Sequence, residues 1–426
     1  MNNMRLFSEI YNDPLLKNSF YLIGANFLNL LLGFVFWIIA ARYYSPDEVG
    51  TISALLSSML LLSMISGLGF QTAFIFYLPR NRENASKIIN SCLTSSIVAS
   101  LVFSSIFVFG LDIWAPPLKS ILSNLKYVIL FAAVTSFYTT SANISSAFIA
   151  GRKSSFHMTK EMLFGLFKIL PLQVFSVFGA MGIFMAWGIG VLLSVITGFF
   201  LLSLLWKGYL PIPMLDPIIK SMAGYSAGNY LADVFFTLPR LILPIMIINM
   251  VSTESTGFFY IAMMIAGLLY GIPQAISNSL LAESSDSGEL WQKVKKAIKL
   301  NAALLFPGIL IFVFFGKFIL NLFNPTYALN SSTTLMILAA ASLPMSLNII
   351  FITIRNAQKR VFSVVKINSA IAVFTLVFAL PLLRSSGIEG AAFAYLAANT
   401  LVALFVVYKM RNMAGFVLKS ILTVTK

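Results

Sequence analysis

Residues 236–250 read FTLPRLILPIMIINM, and the arginine inside this apolar run is the first group whose chemistry demands a reason. A charge at bilayer depth costs at least about 2.5–3.5 kcal/mol on insertion scales, so it normally faces protein or water rather than lipid. Helical spacing gives Arg240 companions: Asn229, Asp233, Thr237 and Arg240 form one stripe, with Asp233 two turns before the arginine. Pro239 and Pro244 bracket that turn, and each removes a helix hydrogen bond. Interrupted helices with freed backbone groups are common at transporter sites. A guanidinium also donates two parallel hydrogen bonds, which suits a phosphate. The plainer alternative is that Arg240 pairs with a carboxylate or carbonyls and only holds the bundle together.

Lys168 is the second cation at mid-segment, with Pro171 after it and Glu161 two turns before it on the same face. It either faces the same anionic ligand or snorkels to an interface. Amides and hydroxyls recur at helical spacing: Asn26 and Asn29; Ser57, Ser63 and Gln71; Thr135, Tyr138, Thr139, Asn143 and Ser146; Tyr260, Gln274 and Asn278. Singly, such residues read as interhelical hydrogen bonds. Together they predict a wet cavity suited to a sugar-like ligand. The candidate substrate-binding set is therefore Arg240, Lys168, Asp233, Asn229, Asn26, Asn29, Gln71, Asn143 and Gln274.

Other chemistries lack raw material. Cys92 is the only cysteine, and His157, the only histidine, falls in what reads as a basic loop. An intrachain disulfide is thereby impossible, a catalytic histidine or a Cys/His metal site has almost no raw material, and no P-loop is present for ATP. No cofactor is expected, and the chain does not read as an enzyme.

The elements that position these residues are membrane helices. Of 426 residues, 59% are hydrophobic and 10% charged, against about 25% charged in soluble domains. Apolar runs near the ~20 residues a spanning helix needs recur along the chain. Twelve spans are predicted, at about 18–41, 49–77, 88–111, 125–150, 160–178, 182–206, 221–250, 256–281, 294–320, 331–354, 361–383 and 387–408. The first run is too long for a signal-peptide core and reads as the first span. The net charge of +15 suggests nucleic acid only until its distribution is counted. With the N-terminus inside, 22 lysines and arginines fall on the inner side and 5 on the outer. The positive-inside rule then puts both termini in the cytoplasm of a cell-membrane protein.

The chain repeats at an offset of 207–208 residues. SPDEVG (45–50) matches STESTG (252–257), AGRK (150–153) matches AQKR (357–360), and GAMGIFMAWG (179–188) matches GIEGAAFAYL (387–396). The period spans six helices, an even number, so both halves keep one orientation. The expectation is an all-α polytopic protein of two six-helix lobes, related by a pseudo-two-fold axis along the membrane normal. Residues 1–206 form the first lobe, 207–220 a cytoplasmic linker, and 221–426 the second lobe with a short tail.

These segments resemble a known family. GFVFWIIAARYYSPDEVGTISALLSSM (33–59) is similar to the first hairpin of the polysaccharide transporter family, which includes the Wzx-type flippases, and GLGFQTAFIFYLPR (67–80) to its second-helix end. AGRK after span 4 and GIEGAAFAYLAAN after span 11 fit its later landmarks. That family belongs to the multidrug/oligosaccharidyl-lipid/polysaccharide exporter superfamily. The resemblance implies two lobes that move lipid-linked sugars by alternating access through a cationic cavity. Family cavities often hold more cations than the two found here. The implied partners are a lipid-linked oligosaccharide, the bilayer, and as candidates the polymerase or glycosyltransferases of the same pathway, but not nucleic acid. The alternative is a cation-coupled multidrug exporter of the same superfamily. Two further classes fit less well. A major-facilitator pattern is missing from PRNRENASKI after span 2, and the longest outer loop, LDIWAPPLKSILSN, is short for an intramembrane glycan polymerase.

Overall fold

The computed structural model describes residues 14–283 and 290–424, all-helical among these residues apart from turns and short connections. The long helices are α1 (Pro14–Tyr43), α2 (Pro46–Ser66), α3 (Phe70–Tyr77), α4 (Ala85–Phe109), α5 (Leu125–Ala150), α6 (Ser154–Ile169) and α7 (Ala180–Leu205). They continue as α8 (Ile218–Met250), α9 (Thr253–Glu283), α10 (Leu290–Asn321), α11 (Ser332–Ala357) and α12 (Val361–Val424). Ten helices among the described residues are long and apolar enough to cross a membrane. This is a multi-pass membrane protein. Phe314, Phe315 and Phe318 on α10 are exposed, as lipid-facing side chains should be.

Glycine and proline explain where the helices depart from the twelve predicted segments. The expected span at 49–77 is broken, because Leu68 and Gly69 take left-handed conformations (φ 49° and 75°) between α2 and α3. The segment expected at 160–178 begins earlier and ends at Ile169. Pro171 cannot continue a helix, and a 3₁₀ turn, Val174–Phe178, follows. The last two expected spans run as one assigned helix, α12, but Gly387 leaves helical geometry (φ 56°, ψ −134°) and separates limbs 361–386 and 388–424. The short tail continues α12 as far as Val424, and α10 begins at Leu290, ahead of the span expected from about 294.

The repeat recurs in the backbone. Ser45 Oγ accepts from Glu48 N at 3.2 Å, and Ser252 Oγ from Ser255 N at 3.0 Å. Glu48 completes a capping box by accepting from Ser45 N, with Pro46 opening the helix. Arg152 and Lys359 are both left-handed at φ 56°, after α5 and α11. Gly179 (φ 57°, ψ −145°) takes nearly the conformation of Gly387. Each position lies 207 or 208 residues from its counterpart, so the same local solutions serve twice.

The chain forms two compact units, residues 1–230 and 231–426. In the first, Phe70, Phe74, Ile89, Cys92, Phe148 and Leu202 form a buried cluster. The segment 206–217 is strapped to α4: Asn90 Nδ2 donates to Leu210 O at 2.8 Å, Met214 N to Thr94 Oγ1 at 3.1 Å and Asp216 N to Ser91 Oγ at 3.0 Å. Tyr209 is buried there. The segment expected as a cytoplasmic linker packs with the first unit. In the second unit, Leu280, Val294, Ile350, Phe351, Ile354 and Val406 form the corresponding cluster.

Candidate functional site

The first unit carries an open-sided cavity of about 240 Å³. Asn26 and Asn29 reach it from α1 and Gln71 from the first turn of α3. The helix break at Leu68–Gly69 starts a new helix one residue before that glutamine. From α5 come Tyr138, Ser141, Ser145 and Ser146, from α6 His157, Glu161 and Phe164, and from α7 Val191. Three predicted site residues, Asn26, Asn29 and Gln71, are thus brought together. Apart from the aromatic rings and aliphatic groups, the wall is amide and hydroxyl, with one carboxylate.

That carboxylate is not alone. Lys160 is fully buried and donates to Glu161 Oε1 at 2.8 Å, to Ser141 Oγ at 2.7 Å and to Ser194 Oγ at 3.1 Å. Ser145 Oγ donates to the same Glu161 oxygen at 3.2 Å, and His157 Nδ1 lies 3.9 Å from it. The lysine thus satisfies all three ammonium donors inside protein, as burial of a charge requires. By sequence, Lys160 counts among the cytoplasmic cations and His157 falls in a loop. Both instead sit on α6, Lys160 buried in the lobe and His157 on the cavity wall. The signal was available in the adjacency of Lys160, Glu161 and a histidine one turn before the acid.

Lys168 has different surroundings from those expected. It is 2% exposed, and its Nζ lies 4.4 Å from the Phe164 ring centroid, 4.6 Å from Trp187 and 5.3 Å from Phe36. Three rings from α6, α7 and α1 form an aromatic box around the ammonium, each attracting it through its negative face. Phe164 belongs both to this box and to the cavity wall, so Lys168 lies behind the wall rather than in it. Asn143 is also fully buried and away from the cavity, with its Nδ2 donating to Ser96 Oγ at 2.9 Å. A neighbouring chain runs from Ser100 Oγ to Thr139 Oγ1 to Ser63 Oγ, at 3.1 and 2.9 Å. These are the interhelical hydrogen bonds of the plainer reading.

On α8, Asn229 and Asp233 are exposed, while Thr237 and Arg240 are half-buried. Among the described residues no carboxylate pairs with Arg240. Its guanidinium carbon lies 5.3 Å from the Phe236 ring centroid. Its field reaches the buried hydroxyls of Tyr270 and Tyr395. Those hydroxyls donate to Leu338 O at 2.8 Å and to Met345 Sδ at 3.7 Å. Gln274, one residue after Pro273 and one turn after Tyr270 in α9, is exposed.

The deciding observation on kinship is a family model, described as polysaccharide biosynthesis protein, that matches residues 15–268. The chain belongs to this family. The resemblance read from residues 33–80 lies within the matched span and is borne out. The structure is similar to the lipid II flippase MurJ in an inward closed conformation, with 13% identity and a TM-score of 0.73, over 92% of this chain and 87% of that one. It is also similar to an inward-facing multidrug resistance MATE family transporter of the MOP superfamily, with 14% identity and a TM-score of 0.69, over 91% and 95%. A third likeness is to the MATE multidrug transporter DinF-BH, with 14% identity and a TM-score of 0.63, over 94% and 95%. No curated protein matches the sequence. This polysaccharide biosynthesis protein thus has the fold shared by a lipid flippase and multidrug transporters, and its own residues must separate the two activities.

Proposed function

We propose that the protein is a flippase that moves a polyprenyl-phosphate- or pyrophosphate-linked oligosaccharide across the cytoplasmic membrane by alternating access, for cell-surface polysaccharide synthesis. The observation that carries the reading is the cavity wall of the first lobe. Its amides and hydroxyls can hydrogen-bond a polyhydroxyl ligand from several sides, and its one carboxylate is already committed to Lys160. A neutral, donor- and acceptor-rich wall suits glycan. A cationic amphiphile would call for a free carboxylate.

In this reading Asn26, Asn29 and Gln71 bind sugar hydroxyls, and Arg240 binds the lipid phosphate. Arg240 has no carboxylate among the described residues to neutralise it, and a phosphate 4 Å away would gain about 4 kcal/mol at an effective dielectric near 20. Asp233, Asn229 and Gln274, all exposed, complete the polar set on the ligand's path. Lys168 braces the wall from behind through its aromatic box, and Asn143 holds α4 to α5. We take the chain as twelve spans in two lobes, with α6 and the two limbs of α12 counted as spans and both termini cytoplasmic. The substrate's lipid tail stays in the bilayer, and the polymerase or glycosyltransferases of the pathway supply or consume the substrate.

One feature favours the second reading, a cation-coupled multidrug exporter: Asp233 is a carboxylate on a membrane helix and is exposed. Reconstitution separates the two. Purified protein in liposomes, given polyprenyl-pyrophosphate oligosaccharide in one leaflet, should move it to the other, and Arg240→Ala should stop this while the protein still inserts. Arg240→Lys should keep part of the rate, since charge survives without the fork. Export of cationic dyes with no dependence on Arg240 would hand the case to the exporter.

A further inference from the structure

The second unit holds a larger cavity, of about 740 Å³, between the end of α9 and the start of α10. These helices are consecutive and packed together. With only residues 284–289 between them, they run antiparallel. The wall is graded along their length. Near the connection it is polar, with Ser279, Gln292, Lys293 and Lys296. Toward the membrane segment it is apolar, with Ala275, Ile276 and Leu300. Lys293 and Leu300 are two turns apart, so charge gives way to hydrocarbon over about 10 Å.

Three observations identify an occupant. Lys293 and Lys296 are three residues apart and share one helix face. Lys295 and Lys299 add charge beside them. Trp291 packs half-buried at the polar end, where an indole marks headgroup depth. The inner wall is closed: Leu280 and Ala297 belong to the buried cluster with Ile350, Phe351 and Ile354. The cavity is therefore backed by the packed core, with its charged end near the connection and its apolar end along the membrane segment.

We propose that this pocket binds an anionic phospholipid of the bilayer, with the phosphodiester on Lys293 and Lys296 and an acyl chain along Ile276 and Leu300. Lysine clusters at the cytoplasmic end of a membrane helix attract anionic headgroups. The leaflet is the lysine-rich side, which the positive-inside rule assigns to the cytoplasm. The amide- and hydroxyl-lined cavity of the first unit differs in kind: here one amide and one hydroxyl stand beside two lysines, a set that suits a phosphate. Such a pocket needs only that the chain spans a membrane, so it stands or falls apart from the flippase reading.

The test counts bound lipid by native mass spectrometry. The full-length protein in neutral detergent is titrated with phosphatidylglycerol or with phosphatidylcholine of the same acyl chains. Phosphatidylglycerol should bind at least tenfold more tightly. Lys293→Gln/Lys296→Gln should lose about tenfold in that affinity, and Lys293→Arg/Lys296→Arg should recover it, which also separates lost binding from lost folding. Lys295→Gln/Lys299→Gln removes equal charge from outside the pocket lining and should change affinity less than twofold. Equal losses in both glutamine pairs would reduce the effect to diffuse surface charge and overturn the site. Equal binding of the two phospholipids would also overturn it. Displacement of phosphatidylglycerol by a polyprenyl phosphate at lower concentration would give the pocket to the transported carrier, refuting a bilayer-lipid site.

Discussion

Removing the ammonium of Lys160 tests whether the buried pair holds the first lobe together. Lys160→Met keeps the length and apolar stem of the side chain but deletes three donors, leaving Glu161, Ser141 and Ser194 to find others. Deleting one partner of a buried ion pair costs about 3–5 kcal/mol, because the other charge stays buried and uncompensated. Glu161 is 16% exposed toward the cavity, so water can reach part of it, and Ser145 still donates at 3.2 Å. We therefore expect a loss of about 2–3 kcal/mol. Lys160→Met/Glu161→Gln removes both charges and should regain at least about 1 kcal/mol of that loss. The assay is reversible unfolding of purified protein in mixed micelles by added denaturing detergent, arranged as a double-mutant cycle. A single variant within about 0.5 kcal/mol of the parent, or a double variant no better than the single, would refute the reasoning. The pair would then be a solvated contact despite its burial.

The aromatic box predicts that Lys168→Met lowers stability, since a desolvated cation–π contact is worth about 2 kcal/mol or more, while affinity for lipid-linked glycan changes little; ligand-induced thermal shifts measure both. Gly179→Ala and Gly387→Ala should each destabilise by roughly 1–3 kcal/mol in the same unfolding assay, because both glycines occupy a backbone region nearly closed to other residues. Their similar costs would express the repeat in energy. Asn90→Ala removes the 2.8 Å bond to Leu210 O, should cost about 1 kcal/mol, and should speed proteolysis within 206–217, read by the rate of cleavage into two halves.

Much of the architecture is legible in one dimension, because a membrane helix must satisfy its own backbone and so announces itself by length and apolarity. The helices and the repeat follow from residue type and spacing and the family from a resemblance, whereas the breaks at Leu68–Gly69 and before Pro171 fall inside predicted spans. The turn at Gly387 and the cap at Ser45 are local events, decided by residues a few positions apart. The cavity residues Asn26, Asn29 and Gln71 were also within reach, since amides in apolar helices seek polar company.

Which lysine of α6 lies next to the cavity was not legible. Lys160 and Lys168 sit on one helix with other helices on several sides, and periodicity gives their separation around the axis but not what each side holds. Ser141 and Ser194 around the first, and Phe36 and Trp187 around the second, come from residues 19 to 132 positions away. Glu161 and Phe164 are α6's own, but only the packing of α1, α5 and α7 on α6 brings Ser141 and Ser194 to one ammonium and Phe36 and Trp187 to the other. The charge of each lysine is a property of the sequence. Whether that charge is paired or boxed depends on close contacts between distant segments, which exist only once the helices have packed.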